Sequence, residues 1–233
     1  AIRRQRQMCI RDRLDCLYFD GEERFDAEIV RGGKRRTLHV RKHADESLEI
    51  ELDAEMRPMR CLNKCVFCFV DQLPKGMRDT LYVKDDDYRF SFVSGSYVTL
   101  TNLSDEETER IIRLRLSPLY ISVHAFSDDV RKRLVANPAT VKLIERMRRL
   151  GEHGIKMHTQ LVIVPGINDG EELTRSIRGL HGIPGVLTVA VVPVGLTAHR
   201  EGLADIRTAT AEESAATVAQ VEALNSEFGG FCW

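Results

Sequence analysis

The sequence predicts an α/β fold, a partial (β/α)6-type barrel cut off at its sixth strand and preceded by the remnant of a small β domain. Three observations carry that prediction. From residue 47 onward, short apolar strands alternate with helical stretches that bear one apolar stripe. The segments 119–123 and 186–192 are nearly continuous apolar runs, as expected of parallel strands buried on both faces. Before residue 45 the pattern instead has a period of two around a glycine pair.

Taken in order, Leu17–Phe19 reads as a short strand. Phe25, Ala27 and Ile29 alternate with charged residues, Arg31-Gly32-Gly33-Lys34 turns, and Leu38 and Val40 resume the alternation. That is a β-hairpin closed by Gly-Gly. Three strands of this size do not make an independent domain, so residues 14–45 are expected to be the end of a small β domain. Residues 46–233 are then the barrel. Strands are expected at 48–52, 97–101, 119–123, 158–164 and 186–192, with 229–233 as a sixth just beginning. Helices are expected at 104–116, 127–135, 140–153, 170–180 and 210–227. Ser104 and Glu107 have capping-box spacing, Asn168 or Asp169 can cap the helix at 170, and Val141, Ile144, Met147 and Leu150 form an apolar stripe. In the last helix, Val218, Val221 and Leu224 share a face. Parallel strands joined by helices require right-handed crossovers, which gives a TIM-like partial barrel with its chemistry at the C-terminal ends of the strands.

Composition narrows the classes. Of the 233 residues, 43% are hydrophobic and 30% charged, and the formal charge is −1. A chain of this size can bury a core, and near-neutral charge gives no reason to expect nucleic acid as partner. No apolar run is long enough to span a bilayer, so a membrane partner is not indicated. Residues 1–13 hold five arginines against one aspartate, or +4, leaving −5 for the rest. Their Gln7–Arg13 stretch resembles translated sequencing-adapter sequence, and 1–13 is expected to be non-native or disordered.

Six cysteines occur, and three of them fall within eight residues: Cys61-Leu62-Asn63-Lys64-Cys65-Val66-Phe67-Cys68. Such clustering points to metal ligation in a reducing compartment, here the cytoplasm. Three thiolates leave one iron of a four-iron cluster without a protein ligand, and an open position is the mark of a reactive metal site. Two other readings stand beside it. A structural zinc site needs one more ligand, such as His43 or His124. The i, i+4, i+7 spacing also fits one face of a buried helix, although Pro58, Pro74, Arg60, Asn63 and Lys64 speak against a core helix.

The loop C-x3-C-x-aromatic-C after a first strand, with Phe67 as the aromatic, resembles the hallmark of the radical S-adenosylmethionine (radical SAM) superfamily. The resemblance extends over residues 47–228. Phe69–Arg78, Lys84–Arg89, Thr99–Asn102, Leu119–Ala125, Pro165–Gly170 and Pro193–Thr197 are similar to a bacterial family with a PDZ-like domain before the barrel and a domain of unknown function after it. This resemblance implies that Cys61, Cys65 and Cys68 hold a 4Fe-4S cluster whose open iron chelates S-adenosylmethionine. It also implies reductive release of a 5′-deoxyadenosyl radical that abstracts hydrogen from a substrate, an oxidoreductase-type activity, and an electron donor such as flavodoxin or ferredoxin. The superfamily's second-strand Gly-Gly-Glu has its counterpart in Ser94-Gly95-Ser96-Tyr97, which makes Gly95 and Ser96 candidate cofactor contacts without the glutamate. Ser122 and His124 match a Ser-x-His-Ala pattern at the end of the third strand, and His124 reads equally as a packed histidine. Gln160, in the fourth strand, reads as a ligand for ribose or carboxylate or as a satisfied amide. Asp85-Asp86-Asp87 reads as a solvated run paired with Lys84 and Arg89, and His199 and Arg200 as anion contacts or a loop cap.

Overall fold

The computed structural model of the chain describes residues 21–43, 45–47 and 58–233. They divide into two compact units, one ending at Arg57 and one beginning at Pro58. The strands expected at 17–19 and 48–52, and the segment 1–13, lie outside the described residues.

In the first unit, β1 (Arg24–Arg31) pairs antiparallel with β2 (Lys34–Arg41), Arg31 standing opposite Lys34. That register leaves Gly32 and Gly33 alone in the turn, at φ 57° and 73°. Two consecutive left-handed residues are the requirement of a type I′ hairpin turn, and glycine meets it without a Cβ clash.

The second unit runs α1 (Tyr88–Ser94), α2 (Asp105–Leu114), β3 (Leu119–Ser122), α3 (Asp128–Val135), α4 (Leu143–Glu152), β4 (Met157–Ile163), α5 (Gly170–His181), β5 (Val186–Pro193) and α6 (Ala211–Phe228). Strands β3, β4 and β5 form a parallel sheet in that order, with Ser122, Gln160 and Ala190 in one row. Leu119, Ile121, Met157, Leu161 and Val189 are fully buried on one face, together with Ile111, Met147, Leu150, Leu173, Ile177 and Leu180 of the helices. The alternate residues His158, Gln160 and Val162 are only half-buried. One sheet face thus holds the helix-covered core and the other is partly open. No helix among the described residues is long and apolar enough to cross a membrane.

Several elements differ from the sequence expectation. The second strand is reduced to one bridge, Val98 with Ile121, because the chain turns at Leu100 with φ 55°. The sixth is likewise one bridge, Val189 with Cys232, reinforced by Val191 N–H donating to the Trp233 carbonyl at 2.8 Å. An unanticipated helix, α1, begins at Asp87, whose carboxylate accepts from Arg89 N–H. The stripe on α4 is Leu143, Met147, Leu150 and Gly151; Val141 sits in the preceding 3-10 turn and is exposed. On α6 the buried residue is Leu224, while Val218 is exposed. Ser104 does cap α2, but Glu107 turns away to accept from the Tyr88 hydroxyl. The complete capping box is Thr210 with Glu213, at the start of α6. Neither Asn168 nor Asp169 caps α5 with its side chain. Asp169 accepts from Gly166 N–H at 2.9 Å, and Asn168 is committed to the strand ends.

Candidate metal and cofactor site

The cysteine loop is fastened to the sheet by a polar hub whose centre is Asn63, buried to 3% exposure. Its amide nitrogen donates to Thr99 Oγ1 at 2.7 Å, and its carbonyl oxygen accepts from Thr101 Oγ1 at 2.8 Å and Asn137 Nδ2 at 2.7 Å. Thr99 passes its hydroxyl proton toward Asp86, with Oγ1 to Oδ2 at 2.6 Å, and its N–H donates to Asp86 Oδ1 at 2.5 Å. Burial pushes the Asp86 carboxyl above its usual range, and the hydrogen bonds from Thr99 and Thr101 only partly offset this. Neighbouring Asp87 is fully buried, accepts from Met59 N–H at 2.9 Å and pairs with Arg89 at 2.6 Å. Although burial raises its carboxyl, the Arg89 and Met59 hydrogen bonds outweigh it and the net shift is downward.

The aspartate run is therefore not a solvated loop, as its sequence suggested. Two of its three carboxylates are interior and hold the start of the cysteine segment. The Arg89 pairing is as expected, but Lys84 pairs with Asp71 at 2.8 Å instead. Backbone bonds complete the clamp: Cys61 N–H to Lys84 O, Asp86 N–H to Met59 O, and an antiparallel bridge between Arg60 and Asp85.

Further along, Lys64 and Val66 N–H donate to Val135 and Leu134 carbonyls at the end of α3. Cys65, Val66 and Phe67 pack against the apolar cluster of Ala125, Leu134, Val135, Val164 and Val194. Gln72, wholly buried, donates to the carbonyls of Phe67, Cys68 and Gly195 and accepts from Thr197 N–H. Arg200 Nη2 donates to Val66 O at 3.2 Å and Ala204 O at 2.6 Å. Its Nη1 is one of two buried side-chain nitrogens without a partner among the described residues. The loop is thus tied to the ends of the second-strand segment, α3 and β5 by groups far apart in the chain.

The three thiols are free and half-buried. They influence one another electrostatically, which places them in one neighbourhood. Burial pushes the Cys65 thiol up to about 12, with the other two cysteines adding to the effect. Burial also raises Cys61, partly offset by a hydrogen bond from Asn63 N–H. In the absence of a cation these thiolates are disfavoured; a coordinated metal reverses that balance by direct bonding. Among the described residues, no three His, Cys, Asp or Glu side chains form a ready-made single-ion site. The donor set of three thiols is the kind that binds an iron–sulfur cluster.

The other sequence candidates are brought together only in part. Phe67 lies edge-on to His124, with ring centroids 4.7 Å apart. His124 sits at φ 65°, is buried, and accepts from Val162 N–H through Nδ1 at 3.3 Å. Its carbonyl is held by Asn168 Nδ2 at 2.7 Å. Burial, with Arg131 nearby, pulls its imidazole down to about 3, so the ring is neutral. Ser122 and Gln160 are register partners at the C-terminal end of β3, and Gln160 O accepts from the N–H groups of Val123 and His124.

Gly95 and Ser96 are not brought to the cysteine loop. They precede Val98, Gly95 ends α1 at φ 73°, and an added Cβ there would meet the Tyr120 ring at 3.5 Å, near the beginning of β3. Thr99 and Thr101 occupy the second-strand end nearest the cysteines. Sequence reasoning gave no site role to Asn63, Thr99, Thr101, Lys84 or Gln72; the one available signal was the density of small polar residues in 99–102.

A family model described as the radical SAM-like domain matches residues 42–189. Among solved structures, the chain is similar to a domain of pyruvate-formate lyase-activating enzyme from Bacteroides vulgatus ATCC 8482, at 16% identity and TM-score 0.44, covering 59% of this chain and 78% of that one. It is also similar to a radical SAM methyltransferase from Sphaerobacter thermophilus, at 26% identity and TM-score 0.39, covering 50% of this chain and 35% of that one. Streptococcus suis SuiB is a third, at 10% identity and TM-score 0.46, with 58% and 30% covered. The chain thus spans about a third of the length of the last two. No curated protein matches it. The matched segment contains the three-cysteine loop, α1 to α5 and strands β3 and β4, and the chain belongs to the radical SAM-like domain family.

Proposed function

We propose that this chain is the barrel portion of a radical SAM enzyme, in which Cys61, Cys65 and Cys68 hold a 4Fe-4S cluster and S-adenosylmethionine occupies the remaining iron. The observation that carries the reading is the three-thiol loop, pinned at the ends of a parallel sheet and lying inside the family match. When bound, the cluster would supply the electron for reductive cleavage of S-adenosylmethionine to methionine and a 5′-deoxyadenosyl radical.

The chain's own residues prepare the ground. Asn63, Thr99, Thr101 and Asp86 fix the start of the loop, and Gln72 fixes its end. Phe67 and the neutral His124 form an apolar wall beside Cys65 that limits water. Ser122 and Gln160, on the half-open face, are the polar contacts for the cosubstrate, and Arg200 offers its unpartnered Nη1 to an acceptor. Further parts of the proposal are that residues 14–45 end a PDZ-like domain, that a further domain follows the barrel, that the activity is of oxidoreductase type, and that flavodoxin or ferredoxin supplies electrons in the cytoplasm.

The test is electron paramagnetic resonance of anaerobically reconstituted, dithionite-reduced protein, with and without S-adenosylmethionine. A cluster signal that changes on addition is expected. Protein that takes up stoichiometric zinc and no iron would overturn the proposal.

A further inference from the structure

Lys84 is bound to the cysteine loop at both its backbone and its side chain. Its carbonyl accepts from Cys61 N–H at 3.0 Å. Its ammonium donates to Asp71 Oδ2 at 2.8 Å and to the Asn63 carbonyl at 3.4 Å. The ammonium also feels the Cys68 sulfur electrostatically, which places the two groups in one neighbourhood. Asp71 itself lies three residues beyond Cys68, next to the Gln72 clamp, so the ion pair is anchored to the loop on either side of the cysteines. A cavity of about 420 Å³ opens beside Cys61, between Lys84, Arg60 and Tyr82. The Lys84 side chain is only 23% exposed, so solvent screens the Lys84–Asp71 pair only in part.

We propose that Lys84 is a positioning residue that sets the electron affinity of the bound cluster by holding a fixed positive charge beside the cysteine loop, where Asn63 O and Asp71 anchor it. The inference rests on the cluster reading given above. One-electron reduction, by a low-potential one-electron donor, adds a negative charge to a group already surrounded by three thiolates. No bond or proton need change hands. A cation held next to the ligand loop stabilises the reduced form more than the oxidised form and draws the midpoint upward. Asp71 aims the ammonium and keeps it from swinging into solvent, while Asn63 O fixes its height above the loop. Deleting the charge therefore changes the potential, which a purely structural lysine would not.

The experiment compares reconstituted wild type with Lys84→Met, Lys84→Gln and Lys84→Arg. Each is assayed for iron and sulfide content and for midpoint by potentiometric titration with dithionite, followed by electron paramagnetic resonance. Met and Gln keep different parts of the stem's shape and polarity, so a folding failure in one leaves the other readable. Iron content close to wild type is expected in both. The reduced-to-oxidised ratio at fixed potential is expected to fall at least tenfold, which is about 59 mV for a one-electron couple. Lys84→Arg is expected to recover most of that shift. Neutral variants that hold iron at the wild-type midpoint, or that lose iron together, would overturn the role of Lys84 while leaving the cluster reading intact. Wild type without iron would overturn the cluster reading itself, and with it the inference.

Discussion

Replacing Asn63 with alanine probes the hub directly. The side chain is buried and makes three hydrogen bonds, one donated to Thr99 and two accepted from Thr101 and Asn137. Each neutral bond contributes about 1 kcal/mol net, so their loss costs about 3 kcal/mol in all. For a chain of this length 1 kcal/mol moves the melting midpoint by about 2–4 °C, so Asn63→Ala should melt about 6–12 °C below wild type. The same change frees the loop between Cys61 and Cys65, and iron uptake on anaerobic reconstitution should fall with it. The measurements are a thermal melt by circular dichroism on the metal-free protein and an iron assay on the reconstituted one. A melting midpoint within about 2 °C of wild type, with equal iron uptake, would refute the view that Asn63 fastens the loop.

Four further outcomes follow from other parts of the structure. His124 titrates at about 3 when folded, below its ordinary 6.5, so only the unfolded chain takes up this proton between those values. Its contribution to stability is full above pH 6.5 and is lost as pH falls toward 3, at about 1.4 kcal/mol per pH unit; His124→Gln should therefore lose stability less steeply than wild type in acid denaturation, and parallel curves would refute this. Gly151 lies in α4, where alanine ordinarily stabilises by about 0.5–1 kcal/mol. Here the new Cβ would fall 1.7 Å from the Pro184 carbonyl oxygen, so Gly151→Ala should lower the urea midpoint instead of raising it. Thr210→Ala removes one half of the α6 capping box and should cost about 1 kcal/mol in thermal melts, with Thr210→Ser close to wild type. Arg131 is fully buried and donates to the carbonyls of Ala125, Phe126 and Thr140. Arg131→Met leaves those acceptors unsatisfied and should cost about 3 kcal/mol or more, measured by equilibrium denaturation.

What the sequence made legible was periodic. Leu119–Val123 and Val186–Val192 read as buried strands because both faces are apolar. The long helices were visible from their stripes and from Ser104. The cysteine loop was legible because three thiols in eight residues have few uses. What stayed hidden depends on partners distant in the chain. Asp86 and Asp87 read as solvent-facing because an isolated buried carboxylate is costly. Thr99, Thr101, Met59 N–H and Arg89, which make their burial tolerable, declare themselves only in three dimensions. Asn63 was noticed merely as a polar residue that argued against a core helix. Tyr97–Thr101 alternates like a strand, and nothing local announces the left-handed turn at Leu100. The Gly95-Ser96 assignment followed a motif's order along the chain, whereas strand direction decides which end faces the cysteines.

The manner in which the loop is moored has a thermodynamic consequence. Asn63, Gln72 and Arg200 join the cysteine segment to α3, to the second-strand segment and to the loop after β5. Any group that binds the ordered loop and not the unfolded chain adds its binding free energy to the stability of all these attachments by mass action. On the proposed cluster reading, occupancy and folding are two readings of one equilibrium, and losing the cluster would loosen the surrounding strand ends.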